Sequence, residues 1–77
     1  MKMIKVLGTG CTKCIKTADV IAEVATALNV DVEISKETNP ETIMSYGVMR
    51  TPAVVVDEKL VHSGSIPIRQ DIESWLG

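Results

Sequence analysis

Seventy-seven residues with eight Lys or Arg against ten Asp or Glu carry a formal net charge of −2, and the scattered basic residues form no stripe that could follow a phosphate backbone, which excludes nucleic acid as a partner. No Gly/Ser-rich or Pro-rich stretch divides so short a chain, so residues 1–77 read as one domain, and 45% apolar residues supply its core without a metal or disulfide staple. Apolar runs such as Ala53 to Val56 are far too short to span a bilayer, and Met1-Lys2-Met3 leads into a strand pattern rather than a signal-peptide segment; a monomeric, cytoplasmic protein with no membrane partner is expected.

Met3 to Leu7 reads as a buried strand, interrupted by Lys5 and ended by the turn Gly8-Thr9-Gly10. From Cys14, the residues Ile15, Ala18, Ile21, Ala22, Ala25 and Leu28 recur at three- and four-residue steps and predict an amphipathic helix, which Asn29 stops by tolerating the left-handed conformation. Val30, Val32 and Ile34 alternate with polar residues, a second strand with one buried face, parallel to the first. Asn39-Pro40 caps and opens a short helix through Ile43 and Met44 that Gly47 closes. Ala53 to Val56 and Leu60 to His62 form a hairpin about Asp57-Glu58-Lys59. Ile68, Ile72, Trp75 and Leu76 then mark a last helix with Pro67 in its first turn. The order is β-α-β-α-β-β-α, an α/β class with a right-handed first crossover.

Cys11-Thr12-Lys13-Cys14 stands directly after a strand and turn and directly before a helix. In a reducing compartment a pair at this spacing serves redox chemistry or metal binding more often than it staples a fold. The unpaired N–H groups and positive dipole end of a helix N-terminus favour a thiolate at Cys11, and Lys13 and Lys16 add positive charge. Cys14, a turn further in, is better placed to resolve a mixed disulfide than to begin attack.

Gly10-Cys11-Thr12-Lys13-Cys14, with Tyr46-Gly47-Val48-Met49-Arg50-Thr51-Pro52 later in the chain, resembles the thioredoxin family, and most of all its very small archaeal and bacterial members. The likeness covers nearly the whole chain and implies a minimal thioredoxin fold with a four-stranded mixed sheet, lacking the first strand and helix of larger members. It implies an exposed nucleophile at Cys11 and a resolving thiol at Cys14. It further implies a cis Pro52 lying against the disulfide and backbone hydrogen bonds from Thr51 to a bound substrate. The expected activity is disulfide exchange with protein substrates, with electrons from a thioredoxin reductase-like donor and no bound cofactor. Gly10 replaces the Trp of typical thioredoxins, and Thr12-Lys13 their Gly-Pro. Counting back without a gap, Lys5 stands where they carry a buried Asp that assists proton transfer. Thr51-Pro52-Ala53 with the single Gly64 does not reproduce the glutathione-holding signature of glutaredoxins.

The remaining candidates have plainer readings. His62 is an exposed polar residue on an edge strand, Trp75 packs on the sheet, Arg50 is a solvated charge, and Met44 and Met49 are core filler, Met49 within reach of the site's rim. The rival function is a soft-metal module holding Cu(I) on the same two thiolates. Such heavy-metal-associated domains run β-α-β-β-α-β and carry Met two places before the first Cys, where this chain has Thr9 and ends in a helix. Zinc would need about four ligands, and His62 cannot complete a set begun by two cysteines.

Overall fold

The computed structural model describes residues 2–8, 10 and 12–76. Along it run β1 (Lys2–Leu7), α1 (Thr12–Ala27), β2 (Val32–Glu37), α2 (Pro40–Ser45), β3 (Ala53–Val56), β4 (Lys59–Ser63) and α3 (Arg69–Leu76), the order expected from the sequence. The strands form one mixed sheet in the order β2-β1-β3-β4. β1 pairs parallel with β2, and β3 pairs antiparallel with both β1 and β4, so the family resemblance and the structure agree on the four-stranded mixed sheet.

The two-residue alternation of a strand lets β1 feed two cores. Ile4 and Val6 pack with Val54 and Val56 of β3 against α1 and α3, while Leu7 joins Ala53 and Val55 in a second cluster with Ile43, Val48 and the half-buried Tyr46. All four residues of β3 are buried, which matches a strand with neighbours on both edges and cover on both faces. β2, at the sheet edge, is only half-buried, and it begins two residues later than the alternation from Val30 predicts.

The buried stripe of α1 is Cys14, Thr17, Ala18, Ile21, Val24 and Ala25. Ile15, Ala22 and Leu28, counted into the apolar face by spacing, are exposed instead. The stripe is rotated because a cysteine and a threonine serve as core residues: Thr17 hides its hydroxyl by donating to the Lys13 carbonyl at 2.7 Å. Asn29, at φ 56°, ends the helix as expected. Its N–H reaches the Thr26 carbonyl and the Val30 N–H that of Ala25, a Schellman closure that satisfies two terminal carbonyls.

Asn39 caps α2 by accepting the Glu41 N–H at 2.9 Å, with Pro40 at the first helical position. In the hairpin, Asp57 and Glu58 both have positive φ, 49° and 71°, the arrangement of a two-residue type I′ turn. The turn is tied to β1 on both sides of Met3: the Asp57 N–H donates to its carbonyl at 2.9 Å and the Asp57 carboxylate accepts its N–H at 3.0 Å. A bulge puts Val54 opposite His62 and Val55 opposite Leu60, leaving Val61 as the extra residue on β4. Pro67 lies ahead of α3 rather than in its first turn, and the Ile68 carbonyl accepts from both Asp71 and Ile72. Trp75 packs partly buried against the α1 cluster, as its spacing predicts, with its ring 5.9 Å from that of His62. His62 is half-buried rather than exposed and shares a 3.1 Å contact with the Ser65 hydroxyl.

Candidate functional site

Three segments meet where β1 ends. Leu7 is the register partner of Ala53, so Gly8 emerges beside the residues that lead into β3, and Gly10, at φ 84°, turns the chain toward α1. The thiol of Cys14 is carried by the inner face of the first turn of α1; the residue is 3% exposed and belongs to the core cluster with Val6 and Ala18. Lys13 and Lys16 stand exposed on the outer side of the same turns.

The distances around Gly8 join these segments. A Cβ built on Gly8 would overlap Cys14 Sγ and would lie 3.6 Å from Thr51 Cβ, so the thiol and Thr51 flank the same backbone atom. The Thr51–Pro52 peptide is cis, the isomer implied by the family resemblance. Pro52 is buried and Thr51 exposed, and the Pro52 carbonyl accepts the Gly64 N–H at 3.0 Å. Arg50 lies along Gly64, its Cβ and Cδ each 3.6 Å from where a Cβ would stand. The structure thus brings Cys14, Thr51 and Pro52 to one end of the sheet. The readings of Cys11 and of Thr9 fall outside the described residues.

Gly8 is a position beside the Cys14 sulfur that sequence reasoning missed. It reads as one of two turn glycines, yet only Gly10 of that pair has positive φ; at Gly8 the Cys14 sulfur lies where a side chain would begin. A glycine three residues before a cysteine pair was the available signal, and nothing local separates a steric glycine from a conformational one.

Lys5 points away from the Cys14 cluster. Its side chain leaves the face opposite to that of Ile4 and Val6 and reaches Tyr46 Oη at 3.0 Å and Glu58 Oε1 at 3.4 Å, with Tyr46 Oη donating to Glu58 Oε2 at 3.2 Å. Cys14 packs with the other cluster, so Lys5 and the Cys14 thiol lie on opposite faces of β1. The hydrogen bond to Tyr46, then the bond to and charge of Glu58, raise the Lys5 ammonium above its usual 10.5. A group raised on folding stabilises the fold below its unfolded pKa and loses that contribution as pH rises through its folded value. Lys5→Met should therefore lower the urea midpoint at neutral pH, by a modest amount for a side chain 31% exposed. The gap to the unaltered protein should close above pH 10.5; a gap of constant size across that range would assign the loss to packing.

Met44 and Met49 are not core filler: they are 72% and 93% exposed. Met49 and Arg50, also exposed, lead directly into Thr51. Among the described residues no group of three or more His, Cys, Asp or Glu converges as a metal site, and no described helix is long and apolar enough to cross a membrane.

Comparison with known proteins agrees with this geometry. A thioredoxin-domain family model matches residues 2–77. The chain is 35% identical over 80 residues to a thioredoxin of Methanocaldococcus jannaschii, spanning 99% of this chain and 92% of that protein. It is 28% identical over 76 residues to a thioredoxin of Methanothermobacter thermautotrophicus, spanning 99% of each. With the family model covering all but the first residue and a relative 35% identical over nearly the whole chain, this chain belongs to the thioredoxin family.

Proposed function

We propose that the protein is a dithiol–disulfide exchanger for protein substrates, working through Cys11 and Cys14. Family membership supports thiol–disulfide oxidoreduction in general. The observation that carries the finer reading is the buried Cys14 thiol held beside Gly8 and Thr51, at the end of the sheet where the chain turns into α1. A thiol in that position is reached from its own chain more easily than by a large substrate, as a resolving cysteine requires.

In the proposed cycle the Cys11 thiolate, favoured by the helix start and by Lys13, attacks one sulfur of a substrate disulfide. The substrate S–S bond breaks, a Cys11–substrate disulfide forms and one substrate thiolate leaves. Thr51 holds the substrate backbone, with Pro52 fixing the loop. The Cys14 thiolate then attacks Cys11 Sγ, its proton having passed to solvent, and the second substrate thiolate departs. The substrate has gained two electrons and the protein has lost two as its own disulfide. A thioredoxin reductase-like donor in the cytoplasm restores the dithiol, and residues 1–77 act as one monomeric domain without a bound cofactor.

Reduction of insulin disulfides, driven by dithiothreitol and followed by precipitation of the freed chains, tests this reading. The protein should accelerate precipitation, and the double variant Cys11→Ser/Cys14→Ser should not. If the reduced protein instead held Cu(I) stoichiometrically against a chelator and left insulin intact, the exchange function would be refuted.

A further inference from the structure

We infer that Gly8 is a positioning residue for the Cys14 thiol, its missing side chain being the seat in which the resolving sulfur rests. This inference rests on the exchange cycle proposed above. The geometry is direct: a Cβ at Gly8 would overlap Cys14 Sγ, while Cys14 Cβ and Thr51 Cβ would each stay at an ordinary 3.6 Å. Gly8 has no positive φ that would demand glycine on conformational grounds. Its backbone is also anchored, since the Gly8 N–H donates to the Glu37 carbonyl at 3.0 Å and so ties the end of β1 to β2. Among the described residues, an added methyl group would find the sulfur the only close neighbour forced to move. The atom displaced is the one that must attack Cys11 Sγ along the S–S axis. Misplacement of a reacting atom by about 1 Å can cost on the order of 100-fold in rate, so the substitution should be severe for that one chemical step.

The reaction of the full reduced chain with an aromatic disulfide that releases a coloured thiolate separates the steps. Attack by Cys11 on the reagent frees one aryl thiolate at a rate proportional to reagent concentration. Resolution by Cys14 breaks the protein–aryl disulfide and frees the second, at a rate independent of that concentration. The protein is oxidised by two electrons and the reagent reduced to two thiolates. In Gly8→Ala the first phase should stay within about twofold of the unaltered protein and the second should slow by about 10- to 100-fold. An unchanged second phase would overturn the role of Gly8 and leave the exchange cycle standing. Release of a single thiolate by the unaltered protein would refute the cycle and this inference with it.

Stability supplies a readout independent of redox chemistry. If the methyl group is opposed by the sulfur, Gly8→Ala should lower the urea midpoint in the unaltered background and have little effect in a Cys14→Ala background, where Sγ is gone. Should Gly8→Ala alone fail to fold, Cys14→Ala must restore folding; equal losses in both backgrounds, or no restoration, would show that the sulfur does not occupy the seat.

Discussion

Cys14→Ser should accumulate mixed disulfides with protein substrates, released by reductant, whereas Cys11→Ser should capture almost none. Attack begins at Cys11 in the proposed cycle, and removing the resolving thiol leaves the Cys11–substrate disulfide no internal route onward. Well-oriented intramolecular groups reach effective molarities of about 10⁵ M or more, so thiols in solution are poor substitutes and the trapped species should persist. The structure adds a condition. Cys14 is a core residue, and a serine there buries a hydroxyl at a cost of about 1–3 kcal/mol unless it finds a partner. Cys14→Ala should trap equally well without that cost, and the two variants together separate loss of the thiol from loss of stability. Non-reducing gels after incubation with a disulfide-bonded protein provide the readout. Capture by Cys11→Ser but not by Cys14→Ala would invert the assigned order, and capture by neither would remove the exchange function.

Element order was legible because this chain punctuates itself. Asn39-Pro40 and Asn29 mark helix ends by chemistry that does not depend on tertiary context, and both do in the structure what that chemistry dictates. Ala53 to Val56 is apolar throughout and is buried throughout. Errors arose where burial is decided by a partner outside the local pattern. Periodicity took Ile15 and Ala22 for core residues and passed over Thr17, because side-chain polarity alone does not show that the Thr17 hydroxyl can close on Lys13. His62 read as exposed because nothing near it in the chain announces Trp75. The cis Thr51–Pro52 peptide followed from the family resemblance and not from the dipeptide. At the site, Thr51 and Pro52 were reached by that same resemblance, while Gly8 was not legible, since its neighbour is a sulfur six residues further on.

Ile21→Ala should be among the most destabilising single changes in the molecule, and Ile15→Ala on the same helix among the mildest. Ile21 is fully buried in the cluster where α1 and α3 cover Ile4, Val6 and Val54, whereas Ile15 is 45% exposed. Truncating a buried isoleucine to alanine typically costs about 2–5 kcal/mol, the removed methyl and methylene groups and the cavity both contributing. At about 0.05–0.15 kcal/mol per residue, 77 residues have a total stability of about 4–12 kcal/mol, so Ile21→Ala removes a large share of it. In a domain of this size each kcal/mol shifts the melting temperature by about 4–8 °C, which predicts a fall of at least about 8 °C. Ile15→Ala loses little burial and gains helix propensity, and should stay within about 0.5 kcal/mol of the unaltered protein. Paired melting curves of the reduced proteins decide between the observed helix orientation and the one that spacing alone suggests. Similar losses at both positions would mean that α1 presents Ile15 to the core, and the Cys14 thiol would then not face β1 as this structure has it.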